Sequence, residues 1–167
     1  GKWEFASTGS AIDFANLTFT SKGGPGLSNA TRAVQARGYG APSITHEDVC
    51  FFTMASQQDA SDFGDLISGS SYGGSGIASP TIGVIITSRS SSVNLVNNIE
   101  YVTIATTGSF NDFGDVTNID NADFTATAGN STRGVLAGGQ DSPNTQTEIS
   151  YVTYATKGNT IKFGDLH

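Results

Sequence analysis

One tetrapeptide, three times over, concentrates the side chains of this sequence that could do chemistry. "DFGD" runs from Asp62 to Asp65 and again from Asp112 to Asp115, and a third copy, "KFGD", runs from Lys162 to Asp165. Carboxylates clustered in a turn suit a calcium ion, and an aspartate before Phe-Gly holds magnesium in protein kinases. The kinase reading also requires a lysine on a preceding strand and an HRD-type catalytic loop, and the sequence has neither. The calcium reading lacks the D-x-[DN]-x-[DN]-G spacing, and Lys162 removes one carboxylate from the last copy. Phe63, Phe113 and Phe163 stand fifty residues apart. A catalytic aspartate is needed once per site, whereas a structural unit recurs at a fixed interval. The aspartates are therefore read as turn or cap residues, with Asp115 hydrogen-bonding turn amides, and no metal or other cofactor is expected.

The remaining candidates are scattered. His46 and His167, the only histidines, are separated by more than two repeats, so a histidine metal cluster or triad is not credible. Arg32 and Arg133 occupy matching positions, with Ile82 in the middle copy, and read as salt bridges to a neighbouring unit. Cys50 falls where Glu100 and Ser150 stand elsewhere and reads as a small core filler; Trp3, at the position of Val102 and Val152, reads as packing. A glycosidase would need two carboxylates at a fixed separation. Glu47, Asp48, Asp120, Asp123, Asp141 and Glu148 lie in variable connections, and nothing singles out a pair. No catalytic, cofactor-binding or metal residue is therefore assigned. The sequons at Asn16, Asn29 and Asn130 read as chance in a chain rich in Ser and Thr.

Composition narrows the class. The 167 residues suffice for one domain with a sizeable core. With 21 Gly and only 14% charged residues, the chain reads as short strands and turns without the charged faces of surface helices. A formal charge of −7 argues against nucleic acid and against anionic membranes. A single cysteine excludes an internal disulfide. No stretch reaches the length of a membrane span, and no signal-peptide pattern opens the chain.

The repeat extends well beyond four letters. "VCFFTMASQQDASDFGDL" (Val49–Leu66), "IEYVTIATTGSFNDFGDV" (Ile99–Val116) and "ISYVTYATKGNTIKFGDL" (Ile149–Leu166) align without a gap, and "KWEFASTGSAIDFANL" (Lys2–Leu17) is a fourth copy with Phe14 at the phenylalanine position. "NATRAVQARGYG", "SPTIGVIITSRS" and "NSTRGVLAGGQD" align as a second core. In the first core Ile99, Tyr101, Thr103 and Ala105 alternate with Val102 and Ile104, and apolar residues on both sides imply a strand buried on both faces. Sheets stacked in series do this. Two hairpins per unit make a four-stranded antiparallel sheet, and the small residues of "GVLAGG" suit the inner position of a radial array, as in a propeller blade.

These segments resemble kelch-type blades: a small-residue strand ending in a glycine pair, a connection, an aromatic strand, then a turn and an aromatic anchor. The "STRG" segment and the "DFGDL" ending are similar to degenerate kelch-like repeats of virion and tail-associated proteins of tailed bacteriophages. The glycine pair survives only as Gly138-Gly139, and phenylalanine replaces the kelch tryptophan. The copper chemistry of some kelch propellers needs histidine and Tyr–Cys ligation, whereas the two histidines here are more than two repeats apart and Cys50 reads as a core filler.

The fold class expected is all-β: kelch-like four-stranded blades of about fifty residues, with residues 1–17 a C-terminal hairpin of a partial blade and 18–66, 67–116 and 117–167 three blades. Such a set leaves a ring incomplete, since closed rings have about four to eight blades. Further blades of the same chain, or other subunits, are the expected partners. The resemblance implies a virion or extracellular location and a non-catalytic structural or adhesion role, with a host glycan or protein receptor. The alternative is a polysaccharide-degrading propeller.

Overall fold

The structure, a computed structural model, describes residue 2 and residues 9–40, 46–68, 72–88, 96–117, 125–141 and 144–167. Among these residues there is no helix. Strands β1 (Gly26–Ser28), β2 (Arg32–Ala36), β3 (Asp48–Thr53) and β4 (Ser61–Asp65) form one four-stranded antiparallel meander. Strands β5 (Ser75–Ala78), β6 (Ile82–Ile86), β7 (Asn98–Thr103) and β8 (Asn111–Asp115) form the second. The third joins β9 (Ala126–Gly129), β10 (Arg133–Ala137), β13 (Glu148–Thr153) and β14 (Ile161–Asp165), with a small ribbon of β11 (Gln140–Asp141) and β12 (Asn144–Thr145) inserted. The three sheets do not close on themselves.

The local sequence explains the first hairpin of each sheet. The Asn29 side-chain oxygen accepts the amides of Thr31 and Arg32, each at 2.9 Å, and Asn130 accepts those of Thr132 and Arg133 at 2.8 and 2.9 Å. In the middle sheet the Ser79 hydroxyl accepts the Ile82 amide at 2.9 Å. Short polar side chains that mimic a backbone turn are favoured at such positions. Two of the three sequons are thus turn residues.

The "DFGD" copies form the outer strand, and its irregularity is the key to the fold. Val49 faces Gly64 while Cys50 faces Asp62, which leaves Phe63 as the extra residue of a β-bulge. The same shift recurs at Ile99 and Glu100 and at Ile149 and Ser150, so Phe113 and Phe163 are bulged too. The bulge aims Phe63 at the next sheet. Phe63 packs edge-on to Phe51 of its own sheet at 5.9 Å and against Phe110 of the next unit at 6.2 Å, and Phe113 meets Tyr101 of its own sheet at 6.0 Å.

Main-chain bonds complete each seam. Gly108 N–H donates to Phe63 O at 2.7 Å and Phe110 N–H to Asp65 O at 2.8 Å; Gly158 and Thr160 donate to Phe113 O and Asp115 O at 2.7 and 3.0 Å. The exposed edges of β4 and β8 are thereby covered, which removes an aggregation liability. Gly64 (φ +142°) and Gly114 (φ +144°) permit the approach: a Cβ there would stand 2.5 Å from the backbone of Gly108 or Gly158. At the opposite edge of the sheets β1, β5 and β9 lie side by side. A Cβ on Gly76 would lie 2.4 Å from Gly26 O, and Thr127 Oγ1 donates to Gly76 O at 2.9 Å. The core therefore sits between sheets. Leu27, Val34, Val49, Phe63 and Leu66 meet Ile85, Val102, Ile104 and Phe110 across one seam, and Ile77, Val84, Ile99 and Phe113 meet Leu136, Val152 and Tyr154 across the other.

The N-terminal segment repeats this geometry. Lys2 and Ile12 exchange two backbone hydrogen bonds of 2.8 Å, at the register of the Tyr101–Asn111 pair. Asn16 O accepts Ala60 N–H at 2.9 Å, as Asp65 O accepts that of Phe110, and Phe14 packs edge-on to Phe52 at 6.3 Å.

The four equivalent phenylalanines do not share one environment. Phe63 and Phe113 are 1% and 3% exposed, whereas Phe163 is 69% exposed because, among the described residues, no sheet covers the outer face of the third unit; Phe14 is half-buried. Tyr154 is buried in the second seam, where desolvation raises its pKa. Phe63→Ala or Phe113→Ala should cost about 3–5 kcal/mol. Phe163→Ala should stay within about 0.5 kcal/mol; urea denaturation of the three variants measures the contrast.

Candidate functional site

The repeated aspartates do not converge. Asp62, Asp65, Asp112 and Asp115 are exposed on separate outer strands. It is the main chain of Asp115, rather than its carboxylate, that engages the neighbouring turn: its N–H donates to Asn159 Oδ1 at 3.0 Å and its carbonyl accepts Thr160 N–H. The register sets Asp48 opposite Asp65, Asn98 opposite Asp115 and Glu148 opposite Asp165. Like charges directly opposite one another are destabilising, and each unit relieves the conflict differently. Arg37 binds Asp48 at 3.1 Å in the first, and the second replaces one acid by Asn98. In the third, Lys162 sits 2.9 Å from Asp165 and 4.0 Å from Glu148, and the Asp165 hydrogen bond raises its pKa. The departure from "DFGD" is a local charge correction. Among the described residues no group of three His, Cys, Asp or Glu side chains is placed to hold a metal ion.

Among the described residues, Arg32 and Arg133 act on aromatics rather than in salt bridges. Arg32 stacks on Phe51 with Cζ 4.6 Å from the ring centre and donates to Ile104 O of the next sheet at 3.0 Å. Arg133 stacks on Tyr151 at the same distance. The middle unit has Ile82 instead, and Lys157 of the following unit supplies the cation, 3.9 Å from the Tyr101 ring centre. These cation–π contacts contribute about 0.5–1 kcal/mol each at exposed sites.

Cys50 is fully buried, and burial raises its thiol pKa, as expected of a core filler. His46 bonds Gly40 O at 2.8 Å and lies 3.8 Å from Asp48, whereas His167 is exposed at the far end. Trp3, Asp120, Asp123 and the Asp141 side chain lie outside the described residues. Glu148 is tied to Ser150 at 2.5 Å. Of the described carboxylates suspected in the connections, Glu47 and Asp48 come together. With His46 and Asp65 they line a shallow depression of about 320 Å³ at the outer edge of the first sheet.

Glu100 was not anticipated. It is 1% exposed on β7, and its carboxyl oxygens accept Ile67 N–H at 2.8 Å, Ser68 N–H at 3.0 Å and the Ser68 hydroxyl. It fastens the link leaving the first sheet to the second, with Ser68 also bonded to Thr87. The signal was in the sequence: a glutamate on a strand buried on both faces must find donors.

The chain matches no family model, and no curated protein matches it at a significant level. No helix among the described residues is long and apolar enough to cross a membrane.

Two outcomes follow. Glu100→Ala removes the acceptor of the Ile67 and Ser68 amides and should cost about 1–3 kcal/mol in urea denaturation. Thermal melts with and without EDTA should coincide; a fall of many degrees on chelation would reinstate the calcium reading of the aspartates.

Proposed function

We propose that the three sheets are blades of a kelch-like propeller and that the chain is a non-catalytic structural or adhesion module of a virion tail, tail fibre or comparable surface fibre. One observation carries this reading: the recurring residues of the motif are consumed by packing. Phe63 and Phe113 fill the seams, Gly64 and Gly114 admit the neighbouring backbone, and the main chains of Asp65 and Asp115 bind it. Repetition serves stacking. Variation is left to the connections, and in propellers such connections at the rim carry recognition. The resemblance to repeats of phage virion proteins supplies the location, and a host-surface glycan or protein is the expected ligand.

The depression at His46, Glu47, Asp48 and Asp65 favours the second reading, a polysaccharide-degrading propeller, because two carboxylates at a fixed separation are the minimum of a glycosidase. Arg37 and His46 both engage Asp48, which suits a structural acid.

Glycan-array binding and reducing-sugar release from host polysaccharide separate the two. Binding without release is the expected result. Release that falls at least tenfold in Asp48→Asn would establish the hydrolase instead.

A further inference from the structure

Across both internal seams, six positions on the forward face of a unit are apolar and covered. In the first unit they are Val34, Ala36, Val49, Phe51, Phe63 and Leu66, and all but the half-buried Phe51 are at most 3% exposed. The third unit keeps the pattern with Val135, Ala137, Ile149, Tyr151, Phe163 and Leu166, yet Phe163 is 69% and Leu166 47% exposed. Nothing lies within 4 Å of a Cβ on Gly164, and Gly164 lacks the positive φ of Gly64 and Gly114. Arg133 stacks on Tyr151, but among the described residues its guanidinium has no carbonyl such as Arg32 finds at Ile104. The seat is built and empty.

What fills such a seat is stated twice in the molecule: a turn with glycine, whose N–H meets the phenylalanine carbonyl, and a residue two further on, whose N–H meets the aspartate carbonyl. The sequence holds one more copy of that turn, "STGSAIDF", in which Gly9 and Ala11 stand at the positions of Gly108 and Phe110. The Lys2–Ile12 pairing sets this segment at the register of the other units, and Gly9 and Ala11 are exposed, with no backbone partner among the described residues. We propose that the Phe163–Leu166 face binds the N-terminal hairpin of a second copy of this chain, Gly9 N–H donating to Phe163 O and Ala11 N–H to Asp165 O. The two contact surfaces differ, so association is head to tail and either closes a ring or propagates. The inference rests on the stacking of units proposed above and is independent of what the connections bind.

Gly164→Val tests it without endangering the fold, because the added side chain has open space in the free protein but would strike the incoming backbone. Ala11→Pro removes the second donor from the other partner. Light scattering after size exclusion, from about 10 to 500 µM, should give wild-type masses that rise above 17.2 kDa with concentration. Each variant alone should stay at 17.2 kDa with the wild-type melting temperature, and an equimolar mixture should form a 1:1 heterodimer, since each brings the surface the other lacks. A wild-type protein monomeric throughout, variants that associate like wild type, or a mixture that stays monomeric would each overturn the proposal. Gly114→Val is the control on stacking itself: if it melts like wild type, the fault lies with the seams and not with the seat.

Discussion

No side chain can stand at residue 64 or 114. A Cβ at either position would lie 2.5 Å from the backbone of the following unit, and that clearance lets the outer edge of one sheet meet the turn of the next. Much else follows from it. The bulge throws the preceding phenylalanine into the gap, and the carbonyls on either side of the glycine accept the two incoming amides. The edge strand is thereby paired, though not by another strand, and the apolar faces behind it are drawn into contact. Burying a phenylalanine in each gap contributes about 2–3 kcal/mol, while the hydrogen bonds fix register more than they add stability.

Stability is therefore distributed along the chain rather than concentrated in one centre. The two apolar clusters each span two units and share none of their residues, as in repeat arrays where each unit leans on its neighbours. Polar anchors differ from seam to seam on the same scaffold. Glu100 clasps the link after the first unit, whereas after the second Thr117 donates its N–H to the Thr160 hydroxyl and its hydroxyl to the Thr160 carbonyl. Arg32 reaches forward to Ile104 O, while Lys157 reaches back to Tyr101.

Much of this was legible in the sequence, for physical reasons that can be located. Period-two alternation with apolar residues on both sides of Ile99–Ile104 implied a doubly covered strand, and the fifty-residue spacing implied equivalence of units. What alternation does not reveal is the bulge, because an extra residue on one strand leaves the composition of both unchanged. Nor does a repeat announce which copy lies at the end. Phe163 matches Phe63 in sequence and, like it, meets the aromatic of its own sheet, but among the described residues no further unit lies against it. Asp115 was misjudged for a related reason: a side chain was credited with a contact that any residue's main chain can make. The exchange of Asp112 for Lys162, in sequence only the loss of a carboxylate, is a charge correction, readable once Glu148 and Asp165 are known to be opposite.

The seams also bear on how such a chain can change over generations. Their conserved parts are main-chain atoms and a missing Cβ, so a seam does not depend on a particular pair of side chains fitting each other. Ala60, Phe110 and Thr160 all serve at the same place, from a methyl group to a phenyl ring. Excision of a whole unit between equivalent points would bring Gly64 opposite Gly158, the type of partner it already has. Gene segments of this length can thus be lost, doubled or exchanged in frame with the joint preserved, while the connections drift under whatever selection acts on them.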